Sequence, residues 1–304
     1  MIMVQQMVIL FMVMLVGLLA NKIGILKGES VKKISSLVVN ISNPCFVVSS
    51  VLGDTTGIKN EYLLTIAIAA IAMYAVLILI VAFIPVILRV PKKDYGVYRA
   101  MTVFNNIGFM GLPIISGVYG TGALLYAAVF MLPYNVLIYS YGVYVMKTGT
   151  EGGSGFKIKS LINPGVVAAI LAIIIYFTHI KMPVVITSTV NMIGNITAPL
   201  CMMVIGASFA TMDFKKTFTD IHLLIFSFIK LIIIPVVGIL LLGLFVKDPV
   251  LKGICLIMLA TPIGSMVPML ATEYGGDEEL GATGVAMTSI LSVATLALIF
   301  VIVG

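Results

Sequence analysis

The chain has 304 residues, of which 61% are hydrophobic and only 10% charged, with a net charge of +6 and three cysteines. A soluble domain carries about 25% charged residues because its surface faces water, so most of this surface must face hydrocarbon or other buried helices. Cys45, Cys201 and Cys255 lie inside apolar runs, where a free thiol behaves as a small hydrophobe, which argues against a disulfide framework and a metal site. The basic residues sit in short loops between apolar segments, so the positive charge reports topology rather than a nucleic-acid partner.

A helix crossing about 30 Å of hydrocarbon needs about 20 mostly apolar residues. Cut at its charged and Gly/Pro-rich interruptions, the chain gives ten predicted spans: 3–21, 34–53, 62–88, 100–117, 122–146, 164–180, 186–210, 222–246, 252–271 and 281–303. The run Val8 to Ala20 has the hydrophobicity of a signal-peptide core, but no Lys or Arg precedes it and no small-residue cleavage motif is evident, so it is retained as the first span. Helix is forced in these segments, because a lipid-exposed span must satisfy its own backbone hydrogen bonds. The short alternating segments of a β-barrel are not seen.

Basic loops stay in the cytoplasm. The loops after spans one, three, five and seven hold thirteen basic residues: Lys22, Lys27, Lys32, Lys33, Arg89, Lys92, Lys93, Arg99, Lys147, Lys157, Lys159, Lys215 and Lys216. The opposite loops hold four, Lys59, Lys181, Lys247 and Lys252. Both termini are therefore expected outside the cytoplasm, in a multi-pass protein of the cell (plasma) membrane. The loop after span nine, with Glu273, Asp277, Glu278 and Glu279, is acidic, but acidic residues contribute little to orientation.

The two halves carry matching marks. Span two has Asn40-Ile-Ser-Asn43-Pro44-Cys45 and span seven has Asn195-Ile-Thr-Ala-Pro199-Leu-Cys201; span four has Pro113 before Tyr119-Gly120 and span nine has Pro268 before Tyr274-Gly275. Five spans is an odd number, so a second copy must be upside down relative to the first, which is the pattern of many secondary transporters. The expected organisation is a five-helix repeat over 1–146, a cytoplasmic linker over 147–162 and a second five-helix repeat over 163–304. Within the linker, Thr148-Gly-Thr-Glu-Gly-Gly-Ser-Gly155 has the composition of a flexible connector.

Spans four and nine cannot be regular helices. Span four reads Phe104-Asn105-Asn106-Ile-Gly108-Phe-Met-Gly111-Leu-Pro113 and span nine reads Thr261-Pro262-Ile-Gly264-Ser265-Met-Val-Pro268. Proline removes a donor and clashes with the carbonyl four residues back, glycine costs about 1 kcal/mol against alanine in a helix interior, and unwound backbone at membrane depth is tolerated only where it is buried or lines a wet cavity. Each span is predicted to be two half-helices. Half-helix N-termini carry unpaired N–H groups and about half a positive charge, and Asn105, Asn106, Thr261 and Ser265 add fixed polar groups, so the site would favour an anion. Isolated prolines such as Pro85, Pro133 and Pro235 read as packing kinks.

Asn106-Ile-Gly-Phe-Met-Gly111-Leu-Pro113, with Asn163-Pro164, Pro199 through Gly206-Ala-Ser208, and Pro268-Met-Leu-Ala-Thr-Glu-Tyr274-Gly-Gly-Asp277, resembles the auxin efflux carrier family, which includes plant PIN proteins and bacterial malate permease-like proteins. The resemblance covers nearly the whole chain. It implies an all-α membrane protein of ten helices in a 5+5 inverted repeat, similar to bile acid symporters and sodium/proton antiporters, with broken helices four and nine crossing at prolines, and a homodimer. It also implies that the asparagine seven residues before the crossover proline, Asn106, contacts substrate. The candidate substrate-binding set is Asn43, Pro44, Asn105, Asn106, Gly111, Pro113, Asn135, Pro199, Thr261, Pro262, Ser265 and Pro268. The long cytoplasmic loop of many plant members is absent.

Lys230 is the one ionisable residue deep in a span, where a charge costs at least about 2.5 to 3.5 kcal/mol on insertion scales. It is expected either to compensate charge at the carbonyl ends of the broken helices or to pair with the substrate anion; the bland alternative is snorkelling over about 12 Å of helix. Asn135, in Pro133-Tyr-Asn-Val, faces the site or serves as interhelical glue. His179 and His222, at helix ends, read as solvated surface groups. No Asp or Glu falls clearly inside a span, which leaves a coupling proton or sodium ion open. The function expected is a permease for small organic anions, such as malate, other carboxylates or auxin-like acids, working by alternating access without a cofactor. A channel or facilitator for small solutes is the alternative, disfavoured because scattered Asn and Ser on discontinuous helices fit an occluded site better than a filter. An intramembrane enzyme would need a nucleophile and base within the spans, and none is found.

Overall fold

The computed structural model describes residues 2–52, 60–147, 164–210 and 218–303, and within them every extended element is helical, the sole strand-like pairing being one isolated bridge. In chain order the described helices are α1 (Ile2–Lys22), α2 (29–49), α3 (Asn60–Ile87), α4 (Tyr95–Val103), α5 (Ile107–Tyr119), α6 (Ala123–Lys147), α7 (Pro164–Thr178), α8 (184–209), α9 (Ile221–Leu242), α10 (Pro249–Ala260), α11 (Met266–Tyr274) and α12 (Glu278–Val303). Five of them, α3, α6, α8, α9 and α12, contain stretches long and apolar enough to cross a bilayer, and α1, α5, α7 and α10 carry shorter apolar stretches. Apart from Lys147, which closes α6, the expected linker 147–162 lies outside the described residues, as do Lys59, Lys157, Lys159, Asn163, Lys215 and Lys216.

The outward surface is apolar: Leu79 is 70% exposed, Val184 79% and Phe245 81%. Water would not tolerate such faces on successive helices, whereas hydrocarbon does.

The chain divides into two compact units. Unit 1 comprises Met1–Ala67, Gly108–Leu132 and Ile162–Met212; unit 2 comprises Ile68–Ile107, Pro133–Leu161 and Asp213–Gly304. In unit 1, α1 lies along the second half of α8 at a separation that only glycine permits. A Cβ on Gly206 would fall 1.8 Å from the Met14 carbonyl oxygen, and one on Gly17 would fall 2.1 Å from that of Met203. Such small-residue contacts let backbones approach where lipid supplies no hydrophobic drive for helix association. The second half of α2 packs on the first half of α8 and on α7, with Gly194 against the Phe46 backbone. In unit 2, α9, α10, α11, α12 and the parts of α3, α4 and α6 belonging to it enclose a core that includes Phe226, Met101, Met258 and Met287.

Three π-helical segments have a common local cause. Val38–Ser42, Ile107–Gly111 and Ile229–Ile233 are each followed, two residues on, by a proline: Pro44, Pro113 and Pro235. A proline in a helix lacks its N–H and pushes against the carbonyl four residues back, and the wider π turn moves that carbonyl aside without ending the helix. Pro235 is therefore more than a packing kink, since the wide turn ahead of it carries Lys230.

Candidate functional site

The polar residues of unit 2 converge where two helices stop. Helix α4 ends at Val103 and the chain goes extended at Phe104 (φ −99°, ψ 107°); α10 ends at Ala260 and the chain goes extended at Thr261 (φ −63°, ψ 148°). The two breaks pair as one antiparallel bridge between Asn105 and Ile263. Asn106 N–H donates to the Pro262 carbonyl at 2.7 Å and Gly264 N–H donates to the Phe104 carbonyl at 2.8 Å. Unwound backbone is thereby satisfied by its counterpart rather than by water, as membrane depth demands. A side chain at Gly264 would block the pairing, because its Cβ would stand 2.9 Å from the Asn105 carbonyl oxygen.

Beneath the bridge sits Lys230, fully buried. Its ammonium donates to the Thr102 carbonyl at 2.6 Å and to Asn105 Oδ1, and Asn105 Nδ2 donates in turn to the carbonyls of Met258 and Leu259, the latter at 3.1 Å. Thr102, Met258 and Leu259 belong to the last turns of α4 and α10, whose carbonyls have no intrahelical partner and carry the negative end of the helix dipole. One cation and one amide thus serve both helix ends. Charge-assisted hydrogen bonds contribute about 1.5 to 3 kcal/mol each, enough for two of them to offset the burial cost of a lysine. No carboxylate among the described residues bonds this ammonium, and the carbonyl ends of the two helices are what balance it.

The other unit 2 candidates differ in how far their polar atoms are committed. Both ends of the Asn105 amide are used internally. Thr261 is buried and its hydroxyl donates to the Met258 carbonyl at 3.2 Å. Asn106, next in chain and only 5% exposed, makes no side-chain hydrogen bond among the described residues, and the hydroxyl of Ser265, exposed at the start of α11, likewise has none. Pro262 is buried in the bridge and Pro268 lies one turn into α11, against Gly281. Asn135 is half-buried and engaged. Thr288 was not singled out by sequence: its hydroxyl donates to the Gly284 carbonyl at 2.7 Å and accepts the Ile263 N–H at 3.2 Å, tying the break to α12. A lone threonine in an apolar span gives no pattern by which to find it.

The remaining candidates, Asn43, Pro44, Gly111, Pro113 and Pro199, belong to unit 1. There Asn43 neighbours the start of α5, a Cβ on Gly108 coming within 3.3 Å of its Nδ2. Gly111 and Pro113 are buried, Pro44 is half-buried and Pro199 is exposed. Three atoms in this region, Ser42 Oγ, Asn43 Oδ1 and Thr197 Oγ1, are buried without a hydrogen-bond partner among the described residues. Ser42 and Thr197 occupy the same place in the two Asn-Ile-Ser/Thr-x-Pro motifs, a correspondence that could have flagged both.

The comparisons with known proteins agree with this architecture. A family model described as a membrane transport protein matches the chain twice, over residues 2–155 and 153–300. The chain belongs to the membrane transport protein family. It is the family to which the auxin efflux carrier motifs pointed, and membership together with the apolar helices makes this a multi-pass membrane protein. Two archaeal relatives extend over nearly the whole length: an uncharacterized transporter of Methanocaldococcus jannaschii, 25% identical over 300 residues with 95% of each chain covered, and one of Methanothermobacter thermautotrophicus, 22% identical over 290 residues with 93% of each covered. Transport is accordingly the general function of this family member.

Proposed function

We propose that this protein is a secondary carrier of small organic anions, malate or another carboxylate or an auxin-like acid, which binds at the paired breaks and moves by alternating access. Supporting this reading above all is the contrast between two adjacent asparagines. Asn105 spends its amide on the helix ends and on Lys230, whereas Asn106 holds its backbone in the bridge and leaves its side-chain amide without a hydrogen bond among the described residues. A carboxylate would meet an amide donor there. Asn105, Thr261 and Thr288 position the breaks; Asn106 and Ser265 contact the substrate. Among the sequence candidates of unit 1, Asn43, Pro44, Gly111, Pro113 and Pro199, it is Asn43 that keeps a buried side-chain oxygen without a partner among the described residues.

The carrier reading includes ten spans in a 5+5 inverted repeat, a homodimer in the plasma membrane and both termini outside the cytoplasm. Transport is coupled to a proton, to sodium or to no ion. The double match to one family model favours the repeat, and the uneven basic loops favour the orientation. The test is counterflow of radiolabelled carboxylates in proteoliposomes with wild type and Asn106→Ala. Saturable counterflow that the variant loses while its melting temperature is unchanged is the expected result; equal uptake by the variant would remove Asn106 from the site, and flux without saturation or counterflow would indicate a channel.

A further inference from the structure

Unit 2 carries an elongated apolar groove of about 350 Å³, between α3 and α9 and floored by Leu259 of α10. All sixteen lining residues are non-polar, and they run from Ala72 to Ile87 on α3 and from Ile229 to Phe245 along and beyond α9. Its rim is open: Ile87, Ile233, Val237, Leu241 and Phe245 are all exposed. Ala72 to Ile87 covers about 22 Å at 1.5 Å per residue, more than the roughly 15 Å that one leaflet contributes to a 30 Å hydrocarbon core. The groove is thus long enough to take one acyl chain along its whole length.

The end beyond Ile87 is charged. Arg89, two residues on, is exposed, makes no ion pair among the described residues, and is held at φ 52°. That left-handed backbone is unfavourable for a side chain with a Cβ, and strain of this kind persists where surrounding structure over-determines it. Lys92 and Lys93, both exposed, follow directly. The opposite end, past Phe245, is followed in the chain by the exposed Lys247, and the half-buried Lys252 reaches Gly243 there, its Nζ 3.4 Å from where a Cβ would stand. A guanidinium forms paired hydrogen bonds to phosphate that an ammonium does not.

We propose that this groove holds an acyl chain of an anionic phospholipid whose phosphate is bound by Arg89. The purified protein, incubated with phosphatidylglycerol or with phosphatidylcholine of the same chains, is examined by native mass spectrometry for lipid retained through detergent exchange. Wild type should retain phosphatidylglycerol over phosphatidylcholine; Arg89→Gln should lower that retention about fivefold, the loss of one basic residue's attraction; Lys247→Gln should leave it unchanged. Ala72→Trp, which fills the groove from an exposed position, should abolish retention, with Val237→Phe as the second groove-filling variant should the first not fold. Retention insensitive to Arg89→Gln, transferred to Lys247, or undiminished by a folded groove-filling variant would overturn the proposal. So would a groove-filling variant that turns a dimer into a monomer with lipid still bound, because the groove would then seat a second copy of the chain.

Discussion

Asn105 and Asn106 have the same side chain one residue apart, and the backbone bridge turns them to different work. Replacing Asn105 by alanine would strand the Leu259 carbonyl, leave the Met258 carbonyl with only the Thr261 hydroxyl and leave Lys230 with a single hydrogen bond, and unsatisfied buried groups cost about 1 to 3 kcal/mol each. In a chain of this size about 2 to 4 °C of melting temperature goes with each kcal/mol, so Asn105→Ala should melt several degrees lower by differential scanning fluorimetry while Asn106→Ala melts with wild type. Lys230→Ala should resemble Asn105→Ala in stability and also lose transport; a variant normal in both would show that the ammonium serves neither the helix ends nor the anion. Asp94, ahead of α4, gives a pH dependence. It is buried with Oδ1 unpartnered, and its pKa is raised by desolvation, with Lys93 lowering it and Asp277 raising it. A carboxyl whose folded pKa exceeds its unfolded one keeps a proton that the unfolded chain has released, so its contribution to stability falls as pH rises through that window and recovers on acidification. Asp94→Asn should therefore melt higher than wild type near neutral pH, with the difference shrinking as the pH falls toward the ordinary carboxylate range; an unchanged difference would mean that Asp94 finds solvent.

At the scale of elements, the breaks were legible because proline and glycine have fixed geometric consequences. Thr261-Pro262-Ile263-Gly264 and Phe104-Asn105-Asn106 could not remain helical, and they did not. That the two segments pair as a bridge was not legible, since strand pairing is written in no local propensity and here rests on the absence of a side chain at Gly264. Gly264→Ala should accordingly disturb the crossing, lowering stability by the 1 to 3 kcal/mol typical of overpacking and reducing transport; an alanine variant with unaltered melting and uptake would show the bridge to be dispensable. Pro235 was read as a simple kink for a related reason: a proline announces that a helix must adjust, but whether it kinks or widens into a π turn depends on packing further off. Lys230 was conspicuous in sequence as a buried charge, whereas its partners, the Thr102 carbonyl and the Asn105 amide oxygen, could not be named because a main-chain group leaves no mark on composition and nothing local links Asn105 to a helix 125 residues away. Gly17 and Gly206 were hidden in the same way, since glycine is common in membrane helices and only the backbone separation shows which glycines are indispensable.

At the scale of the whole molecule, Pro44 and Pro199 are 155 positions apart, and so are Pro113 and Pro268. A constant offset across two unrelated marks, with one family model matching each half, supports the proposed duplication. The offset also fixes which loops correspond: Lys27 with Met182, next to Lys181, and Lys93 with Asp248, next to Lys247. Duplication with five spans per copy puts corresponding loops on opposite faces of the membrane; an even number would put them on the same face, and the two cases separate experimentally. With Cys45 replaced by serine and Cys201 and Cys255 buried, single cysteines at the exposed positions Lys27, Lys93, Lys181 and Lys247 can be probed with a membrane-impermeant maleimide. Lys181→Cys and Lys247→Cys should label in intact cells, and Lys27→Cys and Lys93→Cys only after permeabilisation. Labelling of all four from one side would refute inversion, whereas the mirror-image pattern would keep inversion and refute the orientation drawn from the basic loops. Inversion matters for mechanism because two copies of one fold, facing opposite ways, differ little in energy when their conformations are exchanged, and a carrier needs its inward-open and outward-open states to lie within a few kcal/mol of each other to cycle.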